Sequence, residues 1–192
     1  MTRFVLATHN AHKVEELRRI LGERLGPHEL VAYDGPEPVE DGGTFAENAL
    51  IKARAASAHT GLPALADDSG ISVAALGGAP GIHSARYAGT RVDADNVAHL
   101  LAAMSGIRDR SATFDCAAAL VDGEYEHVEL GVWPGSVLEA AEGENGFGYD
   151  PVFRPDGLAG ASALLTPDEK NAISHRARAF GALIEVVRAR YG

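Results

Sequence analysis

The chain has 192 residues, 46% hydrophobic and 23% charged, with a net charge of −10, the size and composition of one globular domain with a real hydrophobic core. No window approaches the ~20 apolar residues of a membrane-spanning helix, and the acidic balance argues against a nucleic-acid surface. The single cysteine, Cys116, excludes an internal disulfide and a cysteine-based zinc site.

Residues 3–7 read as a buried strand that begins without a signal-peptide pattern, which makes the cytoplasm the expected location. A helix is predicted over 12–25, with Val14, Leu17, Leu21 and Leu25 on one face and Asn10 as its N-cap. Residues 29–33 read as a second strand, followed by a Gly/Pro/Asp-rich loop to Gly43. Thr44-Phe45-Ala46-Glu47 is a capping box, and its helix is predicted to end near Thr60-Gly61. Two short strands are expected to flank Asp67-Asp68-Ser69-Gly70. A helix over 93–104 would turn Val97, Leu100, Leu101 and Met104 inward. Asp122-Gly123 marks a hairpin between strands at 113–121 and 124–132. Cys116, beside Phe114, Ala117 and Ala118, reads as a small core residue, and Trp133 as a core or edge aromatic. Thr166 caps a short helix with Pro167 at its first position and Glu169 completing a box. A long helix follows over 174–191, burying Phe180, Leu183, Ile184 and Val187. Strands and helices alternating before a hairpin predict an α/β domain with a mixed sheet.

Positive charge is distributed unevenly: 17 lysines plus arginines comprise three lysines, Lys13, Lys52 and Lys170, and 14 arginines. Each lysine falls in a segment with ligand-loop character, where a compact ammonium suits a phosphate oxygen better than a planar guanidinium. Thr8-His9-Asn10-Ala11-His12-Lys13 joins a strand to a helix, so backbone amides at the helix start could meet an anion, although an ordinary βα turn with an Asn cap has the same pattern. Adjacent Asp67 and Asp68 on a strand would point to opposite faces, leaving one carboxylate for Mg²⁺; the alternative is a turn with two solvated aspartates. Glu40, in the loop before the Lys52 helix, is a second candidate metal ligand. Phe147 and Tyr149, in Gly146-Phe147-Gly148-Tyr149-Asp150-Pro151, could stack on a base or simply cover the core. Ser174-His175-Arg176 supplies donors near Lys170, or a helix cap with two solvated side chains. The histidines show no i,i+4 spacing with a carboxylate of the zinc-protease kind.

In order, Thr8-x-Asn10-x-x-Lys13, Thr44-Phe45-x-Glu47-Asn48-Ala49, Ala66-Asp67-Asp68-Ser69-Gly70, Leu76-Gly77-Gly78-Ala79-Pro80-Gly81-Ile82-x-Ser84-Ala85-Arg86-Tyr87, Gly146 to Pro151 and Glu169-Lys170-x-x-Ile173-Ser174-His175-Arg176 run nearly end to end. Together they resemble the inosine triphosphate pyrophosphatase family, which hydrolyses non-standard purine nucleoside triphosphates. The resemblance implies an α/β protein with a long mixed sheet, one domain over 1–192 with two lobes around a nucleotide cleft, usually a homodimer. By the same resemblance, Thr8, His9, Asn10, Ala11, His12 and Lys13 would hold the triphosphate, and Lys52 would add phosphate charge. Glu40 and Asp68 would bind Mg²⁺, with Asp68 also the general base. Ser69 would contact substrate, Phe147, Gly148, Tyr149 and Asp150 would stack on and read the base, and Lys170, His175 and Arg176 would grip its polar edge. The family often has glycine at position 9, and sometimes at 12, so His9 and His12 depart from the pattern and become candidate phosphate contacts themselves. The implied reaction is attack of water on the α-phosphorus of ITP, dITP or XTP, giving the monophosphate and pyrophosphate. The competing readings are a Mg²⁺-dependent phosphatase that releases orthophosphate, and a nucleotide-binding module without turnover.

Overall fold

Phe4-Val5-Leu6-Ala7 has a residue to bury on either face of a strand, and all four are buried in the computed structural model, which describes residues 1–192 apart from the side chain of Glu23. Strand β1 (Arg3–Leu6) is followed by α1 (Ala11–Leu21), β2 (Glu29–Ala32), α2 (Phe45–Thr60), β3 (Ala64–Val73), α3 (Asp93–Ala103), β4 (Ser111–Asp122), β5 (Tyr125–Val137), β6 (Phe153–Pro155), α4 (Pro167–Ile173) and α5 (His175–Tyr191). The strands form one mixed sheet in the order β2-β1-β3-β4-β5-β6, with β1 parallel to β2 and β3, and β5 antiparallel to β6. The chain divides into two compact units, the first comprising residues 1–68, 116–131 and 174–192, the second 69–115 and 132–173. The division falls inside β3, β4 and β5.

In the first unit, strand alternation separates two cores. Phe4, Leu6 and Leu65 face Leu17, Ile20 and Leu21 of α1 and Phe180, Leu183 and Ile184 of α5. Val5, Ala7, Ala64 and Ala66 face the small side chains Ala49, Ala53 and Ala56 of α2. Each large side chain buried there contributes about 1.5–3 kcal/mol. In the second unit, Ile71, Val73, Phe114, Trp133 and Phe153 pack with Leu100 and Met104 of and beyond α3. Cys116 is a buried core residue and burial pushes its thiol pKa up, which suits packing and not nucleophilic chemistry.

Several boundaries differ from the sequence expectation. The expected pair of short strands around residues 67–70 is one ten-residue strand, β3, because both aspartates find cations within the fold and no turn is needed to solvate them. The two-residue hairpin loop is Gly123-Glu124, one position later than expected, placing glycine at φ +60° where a left-handed backbone is required. Helix α1 stops at Leu21 and a 3-10 turn over Gly22–Leu25 carries Leu25 to the core. Thr44 accepts the Glu47 amide as predicted, but the Glu47 carboxylate reaches back to Gly43 N–H instead of the cap residue. The box at Thr166 and Glu169 closes reciprocally.

Candidate functional site

The alternation that sorts the cores also sorts the two aspartates. Asp67 follows Leu65 onto the α1 and α5 face, and Asp68 follows Ala66 onto the α2 face. Asp67 is fully buried and its Oδ2 accepts from Lys13 Nζ at 3.0 Å and from Arg176 Nη2 and Nε at 3.1 and 3.3 Å. Arg176, 1% exposed, also bonds Glu16. Burial alone would raise the Asp67 pKa, but Lys13 and Arg176, with Lys52, outweigh it and hold the carboxyl well below 3.8.

On the other face, Asp68 Oδ1 takes Lys52 Nζ at 3.0 Å and Oδ2 takes Asn48 Nδ2 at 3.2 Å. Asn48 and Lys52 are one helical turn apart on α2, so both reach the same strand position. Lys52 Nζ also lies 3.2 Å from Glu40 Oε2. Burial is the dominant influence on Asp68 and raises its pKa despite Lys52 and Lys13. Burial would lower the Lys52 pKa, but Asp68, Asp67 and Glu40 outweigh it and raise it. A protonated lysine thus sits between two carboxylates, one of them, Asp68, inclined to take up a proton. The alternative of two solvated aspartates is excluded by exposures of 1% and 8%.

At the start of α1, Asn10 Oδ1 accepts the amides of His12 and Lys13, and Thr8 Oγ1 accepts the Asn10 amide. Asn10, Ala11 and His12 are exposed and Thr8 is half-buried, so the first turn of the helix is open to solvent on its N-terminal side. His9 Nδ1 lies 3.2 Å from Glu37 Oε1 and its ring packs against Tyr33. His175 and Arg176, for which solvated side chains were the alternative, are buried beneath the Ser174 cap at 5% and 1% exposure.

The second unit holds the remaining candidates. Asp150, 2% exposed, accepts Phe147 N–H at 2.9 Å, Ser162 Oγ–H at 2.8 Å and Lys170 Nζ at 2.6 Å. Lys170 Nζ lies 5.1 Å from the Phe147 ring centroid. Phe147 is half-buried, whereas Tyr149 is buried, donates its hydroxyl to Ser84 O at 2.8 Å, and packs in the core. Of the two aromatics, Tyr149 covers the core and Phe147 stays partly exposed. Ser69 is half-buried on β3, and Gly70 is required by Ser84 and Gly81, into which a Cβ would run. Gly148 donates its N–H to Asp93 at 2.7 Å.

Glu40 and Asp68 present hard carboxylate oxygens on either side of Lys52, a donor set that fits Mg²⁺, which takes one or two carboxylates and completes its shell with water and phosphate. Among the described residues no group of three or more His, Cys, Asp or Glu is arranged to hold an ion. Sequence reading missed Glu16, Asn48 and Asp93. Asn48 carried a signal in spacing, standing four residues from Lys52, whereas Glu16 carried none, because its partner Arg176 is 160 residues away. Asp93 carried none, since its partner is 55 residues away.

The sequence matches the model of the Ham1 family over residues 4–186. The chain belongs to the Ham1 family. Of its relatives, the dITP/XTP pyrophosphatase of Leifsonia xyli subsp. xyli is 55% identical over 194 residues, covering 98% of this chain and 97% of that protein. The dITP/XTP pyrophosphatase of Streptomyces coelicolor is 52% identical over 201 residues and the full length of both. The solved structure of a HAM1 protein from Coxiella burnetii has a TM-score of 0.90 with 42% identity, covering 98% of this chain and 100% of that one. The Ham1 assignment and the mixed α/β fold agree with the sequence resemblance.

Proposed function

We propose that this Ham1 protein hydrolyses ITP, dITP and XTP to the monophosphate and pyrophosphate, removing non-standard purines from the nucleotide pool. The chain is a nucleoside triphosphate pyrophosphatase, like its relatives named for dITP and XTP. The observation that carries the reading is the pair of lysines meeting two adjacent buried carboxylates, Lys13 on Asp67 and Lys52 on Asp68, beside an open helix start.

In this reading Thr8, His9, Asn10, Ala11, His12 and Lys13 receive the triphosphate, with the helix amides and the Lys13 and Lys52 ammonium groups offsetting its charge. Glu40 and Asp68 would hold Mg²⁺, which when bound neutralises phosphate charge and favours departure of pyrophosphate. Asp68, its pKa raised by burial, takes the proton of the attacking water as the oxygen bonds to the α-phosphorus and the bond to the bridging oxygen breaks. Asp67, locked between Lys13 and Arg176, holds Lys13 in place and takes no proton. Phe147 stacks on the base, Gly148, Asp150 and Ser69 border it, and Lys170 and His175 meet its polar edge, with Tyr149 supporting the loop from the core. Arg176, anchored by Asp67 and Glu16, joins Lys170 and His175 at that edge. Donors facing a 6-oxo group would lose their acceptor against the 6-amino group of adenine, which is the source of selectivity. The two compact units act as one domain over residues 1–192, as a homodimer, in the cytoplasm and on free nucleotides without a nucleic-acid partner.

The test is a panel of purine triphosphates with Mg²⁺, reading pyrophosphate and orthophosphate separately, with and without chelator. Pyrophosphate from ITP, dITP and XTP far above ATP is expected. Orthophosphate as the first product would favour a phosphatase, and binding without product a carrier.

A further inference from the structure

Phe147 stands between two glycines whose backbone torsions carry little restraint of their own, Gly146 at φ +77° and Gly148 at φ +60°. A ring on such a segment stacks well only if the backbone is pinned. Three side-chain hydrogen bonds hold residues 147–149 beside the loop's backbone contacts, all in the second unit. Asp150 accepts Phe147 N–H, and the Tyr149 hydroxyl is tied to Ser84 O inside the core. The third is the carboxylate of Asp93, first residue of α3, whose Oδ2 takes Gly148 N–H at 2.7 Å. Val92, at the cap position, has no side-chain capping hydrogen bond, so Asp93 stands where an acid would ordinarily serve its own helix, yet its hydrogen bond goes to the loop. A hydrogen bond of that length to an ionised acceptor is of the stronger, charge-assisted kind. Asp150 also holds Lys170, and Tyr149 is part of the core, so Asp93 alone can be removed without disturbing either.

We infer that Asp93 is a positioning residue for the base-binding loop, fixing the backbone at Gly148 so that the Phe147 ring is preorganised; this rests on the reading of Phe147 as the stacking ring. Its loss lets the loop sample other conformations in the free protein, and nucleotide binding must then reorder it.

Asp93→Ala is expected to speed hydrogen exchange across residues 146–149 of the nucleotide-free protein several-fold. It should also raise KM for dITP about three- to tenfold, the range of one lost hydrogen bond, with kcat and melting temperature little changed. Asp93→Asn keeps an oxygen for the Gly148 amide and should recover most of both. Asp95→Ala removes the other acid of the same helical turn, which bonds Thr90, and should leave exchange in the loop as in wild type. Unchanged exchange in Asp93→Ala overturns the brace, and faster exchange with unchanged KM overturns the positioning role. Wild-type protein that releases no pyrophosphate from any purine triphosphate overturns the functional reading instead, and exchange then decides the brace alone.

Discussion

Asparagine at position 67 and asparagine at position 68 are the same chemical change on neighbouring residues, yet the structure gives them opposite expectations. Asp67 is fully buried with Lys13 at 3.0 Å and Arg176 at 3.1 Å, so Asp67→Asn leaves two buried cations short of a counter-charge. Removing one partner of a buried pair costs about 3–5 kcal/mol, and Glu16, still bound to Arg176, sets the expectation at the lower end. At about 2–4 °C per kcal/mol for a chain of this size, ~3 kcal/mol lowers the melting temperature by roughly 6–12 °C. The loss is full at neutral pH. Because the folded pKa of Asp67 lies below 3.8, the gap between wild type and variant narrows as pH falls below that value. Asp68 is different: burial already disfavours its charge, and Lys52 keeps Glu40 as a partner. Asp68→Asn should therefore melt within about 2 °C of wild type, while turnover falls by about 10²–10⁴ through loss of the general base. The assay pairs thermal melts with pyrophosphate release from dITP. Equal melting shifts for the two variants would refute the division of roles by strand face, and near-wild-type turnover in Asp68→Asn would refute the catalytic assignment.

With the Asp68 pKa raised, kcat/KM should fall at acid pH with an inflexion above 3.8; Asp68→Asn should lose that inflexion in its residual activity, and an unchanged profile would place the titrating base elsewhere. Lys13→Ala and Lys52→Ala should each reduce kcat/KM for dITP at least tenfold, since each removes a charge-assisted contact, whereas Arg188→Ala, an exposed side chain paired with Glu185, should match wild type within twofold; equal losses would refute the role of the lysines. Phe147→Ala should raise KM for ITP and ATP alike, because stacking is worth about 1–3 kcal/mol per base and ignores its identity, while His175→Ala should shrink the preference for ITP over ATP; the ratio of kcat/KM values separates them, and the opposite pattern would reverse the two roles.

What the sequence determined by itself was local. Period-2 alternation placed Asp67 and Asp68 on opposite faces, Asn10, Thr44 and Thr166 set where helices begin, and six motifs in order carried the family. Those signals depend on neighbours within a few residues, and such neighbours are visible in a linear chain. What only the tertiary structure decided was partnership. Asp67 meets Arg176 across 109 residues, Glu16 meets Arg176 across 160, and Asp93 meets Gly148 across 55. No periodicity encodes such pairs. The same distance in sequence left two alternatives open, a solvated turn for the aspartates and exposed helix-start side chains for His175 and Arg176, because the partners that permit burial of Asp67, Asp68 and Arg176 lie on other elements. A buried charge is tolerated only where a partner has been brought to it, and the chain must fold before that partner exists.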